Sequence, residues 1–150
     1  MDIAGTLGIE AEVAGKEHQY APIAHKVVCV DFDNTLFPWG EFFEVDAQPM
    51  PGAVDALKAF REAGFSIVIF SSRMSPRWLQ SANQSGSRHT EYIIDCLTRH
   101  DMPWDALTAE KIPAMAYIDD KAIEFTPKSP NWEQIVKRLV KTGEQKKRRA

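Results

Sequence analysis

Only two cysteines and four histidines occur in this 150-residue chain, and their scarcity removes several chemistries at once. Cys29 falls within a predicted core strand and Cys96 on the apolar side of a predicted helix. Both read as small buried hydrophobes rather than halves of a disulfide. His18, His25, His89 and His100 show no zinc-ligand spacing. No apolar run approaches the roughly 20 residues that cross a bilayer, and the first residues lack the basic-then-apolar pattern of a secretory signal. The expectation is a soluble cytoplasmic protein with no membrane partner. What is present suffices for one compact domain: 44% of residues are hydrophobic and 26% charged, enough for a real core and unlike a disordered composition.

Charge is unevenly placed. Residues 1–120 carry nine Lys/Arg against eighteen Asp/Glu, whereas residues 121–150 carry nine against three. The last residues include Lys146-Lys147-Arg148-Arg149. Two readings stand: a solvated tail that aids solubility, or a contact for nucleic acid or another polyanion. The expected organisation is an N-terminal arm over 1–25, a catalytic domain over 26–142 and a basic tail over 143–150.

Hydrophobic periodicity orders the elements. Val27–Asp31 reads as a strand. A helix over 53–63 presents Val54, Leu57 and Phe60 on one face and is closed by Gly64. Residues 65–70 (FSIVIF) form a second strand. Ser75 and Pro76 open a short helix holding Trp78 and Leu79, and residues 81–87 read as a polar loop. A helix over 90–100 buries Ile93, Ile94 and Leu97, residues 104–108 suggest a third strand, and residues 114–118 form a fourth. After Ser129 and Pro130 a last helix carries Trp132, Ile135, Val136, Leu139 and Val140 on one stripe. Strands alternating with helices predict an α/β fold, a Rossmann-like three-layer α/β/α arrangement around a parallel sheet.

The chemistry sits where strands end. Val27-Val28-Cys29-Val30 runs into Asp31-Phe32-Asp33-Asn34-Thr35. Residues i and i+2 of a strand share a side, so two carboxylates meet at an edge where open α/β sheets keep their ligands. Unit charges 4 Å apart repel by about 4 kcal/mol at an effective dielectric near 20. A divalent metal, a shared proton or solvent must offset that. Ser71 follows the second strand, Lys111 precedes the fourth, and Asp119-Asp120 follow it.

In this order the motifs resemble those of the haloacid dehalogenase superfamily of phosphohydrolases. Asp31-Phe32-Asp33-Asn34-Thr35 is similar to its first motif and Ser71 to its second. Lys111 matches the third, and Tyr117-Ile118-Asp119-Asp120 the fourth. A response-regulator receiver domain also unites acids, a hydroxyl and a lysine, but its acidic pair comes early and its lysine last; the order here is the reverse.

The resemblance implies a Mg²⁺-dependent phosphatase. Asp31 is then the nucleophile, forming an aspartyl-phosphate, and Asp33 the general acid and base. Metal would be held by the Asp31 carboxylate, the Asp33 backbone carbonyl and Asp119, with Asp120 acting directly or through water. Lys111 would neutralise nucleophile and phosphate, and Ser71 would donate to a phosphate oxygen, with Ser72 beside it. Arg73 has two readings, a bidentate phosphate donor or the partner of a local acid. Asn34 and Thr35 read as structural, bracing the turn through side-chain to backbone bonds.

The gaps between motifs bear on substrate. Residues 36–51 are too few for a separate cap domain, which usually needs about 40 residues or more, and the stretch 72–110 is spent on helices and a strand. A capless member is implied, and Leu36-Phe37-Pro38-Trp39 resembles the small magnesium-dependent phosphatases of this type. Open sites of this kind take bulky or macromolecular phosphates, or are covered by a second subunit, so monomer and homodimer both stand. Phe37, Trp39, Phe42 and Phe43 read as flap packing or a dimer contact, or as a stack for an aromatic substrate. The alternatives to a general phosphatase are a nucleic-acid 3′-phosphatase using the basic tail, and a non-catalytic phosphate- or nucleic-acid-binding protein.

Overall fold

The computed structural model describes residues 26–40, 43–76 and 86–149. The arm over 1–25, Phe42, the short helix holding Trp78 and Leu79, and positions 81–85 of the polar loop lie outside them. The described chain separates into two compact units, the first ending at Asp120 and the second beginning at Lys121.

The first unit is built on four strands: β1 (Val27–Asp31), β2 (Ser66–Phe70), β3 (Ala106–Thr108) and β4 (Ala116–Ile118). They run parallel in the order β3-β2-β1-β4, the α/β Rossmann-like architecture expected. β1 and β2 are short runs of β-branched and aliphatic residues buried along most of their length, the pattern of strands covered on both faces. Strand order reverses between β1 and β4, because successive strands first add on one side of β1 and the last adds on the other. Ligands of open α/β sheets bind at such a switch point.

Among the described residues, two α-helices belong to this unit, α1 (Ala53–Glu62) and α2 (Gly86–Arg99). Leu57 of α1 and Ile93, Cys96 and Leu97 of α2 pack with Val28, Val30, Ile67 and Ile69 into one core. Val27, Cys29, Val68 and Ala106 form a smaller cluster with Ile112, Ala114 and Tyr117; these residues alternate with the first set along the strands. Helix α2 starts four residues before the predicted position. Both cysteines are free and buried, as their apolar surroundings in the sequence imply.

Helix α1 ends as its glycine requires. Gly64 has φ of 84°, its N–H donates to Arg61 and that of Phe65 to Phe60, the paired bonds of a Schellman cap. Arg61 pairs with Asp105 at 2.7 Å, and Asp105 also accepts from the Ile67 backbone N–H. This acid therefore ties the end of α1 to the entry of β2 and β3.

The second unit contains α3 (Trp132–Arg149). The ring of Trp132 lies 4.9 Å from that of Phe125, and Glu133 pairs with Lys137 one turn on. Residues 143–149, expected as a tail, continue this helix instead. The four cations Lys146, Lys147, Arg148 and Arg149 occupy its last turn, where positive charge offsets the carbonyl end of the helix dipole.

Two substitutions test this packing. Leu57→Ala should cost about 2–4 kcal/mol in urea unfolding, since the side chain is fully buried. Gly64→Ala should cost roughly 1 kcal/mol from backbone strain alone, because a Cβ there meets no atom within 4 Å.

Candidate functional site

Pairing between β1 and β4 sets Val28 against Ala116, Cys29 against Tyr117 and Val30 against Ile118. One step further along both strands come Asp31 and Asp119. The register of the parallel ladder thus delivers the acids side by side at the carboxyl edge, at the switch point. Asp31, Asp119 and Asp120 each offer a carboxylate oxygen, and the three atoms lie within 4.8 Å of one another.

Thr35 holds this cluster together. Its hydroxyl donates to Asp31 Oδ2 at 3.2 Å and accepts from the Asp120 backbone N–H at 3.1 Å. One side chain thereby links the loop after β1 to the loop after β4. The sequence reading made Thr35 a local brace and missed this; the only signal was a hydroxyl four residues beyond the strand-end acid. Asn34 is the local brace. It adopts φ of 59°, a region Asn tolerates, and its Oδ1 accepts from the Trp39 backbone N–H.

Crowding shows in the protonation of Asp31. Burial first, then the charge of Asp119 and the approach of Asp120, push its carboxyl up to about 7, against a smaller downward pull from the Thr35 hydroxyl. Three hard oxygen donors of like charge form the ligand chemistry of Mg²⁺, Ca²⁺ or Mn²⁺ rather than of zinc. A bound cation would offset the repulsion that raises Asp31.

Asp33, two residues on, is engaged elsewhere. Arg73 Nε lies 2.8 Å from Asp33 Oδ2 and 3.1 Å from Oδ1, and Nη2 lies 2.9 Å from Oδ1. Of the two readings of Arg73, the structure selects pairing with a local acid. Its guanidinium also lies 5.0 Å from the Tyr92 ring centroid, 5.2 Å from Trp39 and 5.8 Å from Phe32, and the residue is only 4% exposed. The fork to Asp33 engages Nε and Nη2 of the guanidinium.

Ser71 is buried at the end of β2. Its backbone N–H donates to the Thr108 carbonyl, and its Oγ accepts from the Arg73 N–H at 3.2 Å, capping the 3₁₀ turn Ser72–Met74. The cap uses an oxygen lone pair and leaves the hydroxyl proton for another acceptor. Ser72 is exposed on that turn.

Lys111 does not join the acids. It lies three residues past the end of β3, exposed, with its ammonium 5.8 Å from the Tyr117 ring centroid, and among the described residues it makes no ion pair. The cause is local: the Tyr117 hydroxyl bonds both the N–H and the carbonyl of Ile112 at 2.6 Å. These two hydrogen bonds fasten the residue after Lys111 to Tyr117, whose ring the lysine ammonium overlies.

Of the flap aromatics, Phe37 is core, 5.0 Å from Phe32. Phe43 packs against His89 and Tyr92, with Arg88 over its ring at 4.3 Å. Trp39, half exposed, covers Arg73. Burial, followed by the charge of Arg73, holds the His89 imidazole below its ordinary range.

No protein-family model and no curated protein matches the chain. Among solved structures it is similar to a crystal structure of a protein from Vibrio cholerae, at 24% identity and a TM-score of 0.48 over 78% of this chain and 98% of that one. It is also similar to a conserved protein from Bacteroides thetaiotaomicron, at 20% identity and a TM-score of 0.47 over 79% and 92% of the respective chains.

The raised Asp31 carboxyl has a thermodynamic sign. A group whose folded pKa exceeds its unfolded value adds stability below about pH 4 and loses it as pH rises through about 7. Metal-free protein should therefore lose roughly 1–3 kcal/mol between those limits, allowing for solvent screening of a partly exposed group. Metal-free Asp31→Asn should melt above the unaltered protein at pH 8 and beside it at pH 4, by calorimetry in chelator.

Proposed function

We propose that this chain is a Mg²⁺-dependent phosphomonoester hydrolase of the capless haloacid dehalogenase type. The observation that carries the reading is the meeting of Asp31, Asp119 and Asp120 at the β1/β4 switch point, on strand ends 88 residues apart in sequence. A structural role alone gives no reason to gather three acids at one partly buried point, where burial and then their mutual repulsion raise Asp31.

Asp31 and Asp119, with Asp120, would hold the cation, which supplies charge neutralisation between carboxylate nucleophile and phosphate. Asp31 Oδ attacks phosphorus, and the bond to the leaving oxygen breaks as Asp33 transfers a proton to it. Water then adds to the phosphorus of the aspartyl-phosphate, Asp33 takes its proton, and the bond to Asp31 breaks to release inorganic phosphate. Thr35 keeps Asp31 aimed through its hydroxyl bond. Ser71 is the first hydroxyl beyond β2 for a phosphate oxygen, and Lys111, the candidate cation, would have to leave the Tyr117 ring to serve it. Within the short stretch 36–51, the described aromatics Phe37 and Phe43 pack against Phe32 and Tyr92, and we read the site as open to bulky phosphates.

Phosphate release from p-nitrophenyl phosphate tests the reading. Unaltered protein should turn over with Mg²⁺, stop in EDTA and recover on Mg²⁺ addition. Asp31→Asn should lower kcat at least 10³-fold, and Asp119→Asn should raise the Mg²⁺ concentration needed for half-maximal rate at least tenfold. Equal rates in folded Asp31→Asn and unaltered protein would refute the assignment.

A further inference from the structure

We infer that Arg73 is a positioning residue that fixes the carboxylate of Asp33 for proton transfer; this rests on the phosphohydrolase reading above. Asp33 lies on an irregular loop just past β1, bridged only to Phe37, so backbone alone leaves its side chain two rotatable bonds. General acid–base work needs the carboxyl within hydrogen-bond reach of the leaving oxygen, and a misplacement of about 1 Å can cost about 10²-fold. The Arg73 fork restricts that freedom by contacting both carboxylate oxygens from two guanidinium nitrogens.

The fork is itself immobilised from three directions. Phe32 comes from the end of β1, Trp39 from the flap and Tyr92 from α2, and all three rings lie within 6 Å of the guanidinium carbon. Its backbone N–H is tied to Ser71 Oγ, so the residue that orients Asp33 is anchored to the end of β2. Packing needs would be met by an apolar side chain, since an ion pair in so sheltered a place adds little net stability over a hydrophobic isostere. An arginine there is explained by direction. Oδ2 of Asp33 accepts one of the three bonds and Oδ1 two, which leaves Oδ2 a second lone pair for the leaving oxygen or for water.

Kinetics and structure of Arg73 variants test this. With a simple alkyl phosphate, whose alkoxide leaves only with a proton, Arg73→Gln should lower kcat about 10²-fold with KM within twofold. Arg73→Lys, which keeps the charge and loses the fork, should fall between the two. In an Asp33→Asn background Arg73→Gln should change kcat less than twofold. With p-nitrophenyl phosphate, whose phenolate leaves unprotonated, the first-turnover burst should persist in Arg73→Gln and Asp33→Asn alike. Losses that add in the double variant, a loss carried by KM, or a faster Arg73→Gln enzyme would overturn the proposal, the last by showing that the pair restrains Asp33. If the Arg73 variants do not fold, Trp39→Ala, at a half-exposed ring, should slow the first turnover of the alkyl phosphate selectively, and an equal loss of first-turnover rate on both substrates would overturn it. Crystal structures of unaltered protein and Arg73→Gln decide the point without activity: Asp33 should leave its rotamer in the variant, and an unchanged rotamer refutes positioning. An inactive unaltered protein would instead refute the phosphohydrolase reading, with the Asp33 rotamer still deciding the role of Arg73.

Discussion

Repulsion among three carboxylates at one end of a parallel sheet is the constraint around which the rest of this site is arranged. Asp31 and Asp119 are brought abreast by hydrogen bonds of the β1/β4 ladder, which neither side chain controls. The main chain therefore sustains a juxtaposition that the charges oppose. The protein answers the opposition in two ways. The Thr35 hydroxyl bonds one acid and the backbone beside another, and Asp31 holds its proton up to near neutrality. A hard divalent cation is a third answer, and it is the one that would turn a strained arrangement into a useful one.

Beside that cluster stands a fourth carboxylate under opposite management. Asp33 is matched by a full cation with fork geometry, itself lined by aromatic rings, while Asp31 meets the like charges of Asp119 and Asp120 and the Thr35 hydroxyl. Two acids two residues apart thus occupy different electrostatic surroundings. Such divergence is how a site assigns separate roles to chemically identical groups. The phosphohydrolase reading uses it directly, giving attack on phosphorus to the crowded acid and proton transfer to the oriented one.

Much of the scaffold was legible from residue patterns because local rules dominate there. The apolar runs at 27–31 and 66–70 have no other low-energy place than a covered strand, and Gly64 marks the end of α1 because few other residues adopt its dihedral angles without strain. Where local rules are weak, the reading and the structure part. The basic run at 146–149 looked like a tail, yet straight-chain Lys, Arg, Glu and Gln are good helix formers, and α3 continues through them. The beginning of α2 at Gly86 was obscured because a Gly-Ser pair scores as loop by propensity.

For the site, the sequence by itself determined which groups stand at strand ends: Asp31 after β1, Ser71 after β2 and the Asp119-Asp120 pair after β4. Alternating burial and strand termination are near-neighbour properties, and they are written in consecutive residues. Only tertiary structure decided who meets whom. It joined Thr35 to Asp120 across 85 residues and Arg73 to Asp33 across 40, and it laid Lys111 over Tyr117. Those outcomes follow from strand register and from competition among long, flexible side chains for carboxylates and ring faces. Such partners are chosen by distance in space, which no spacing along the chain encodes.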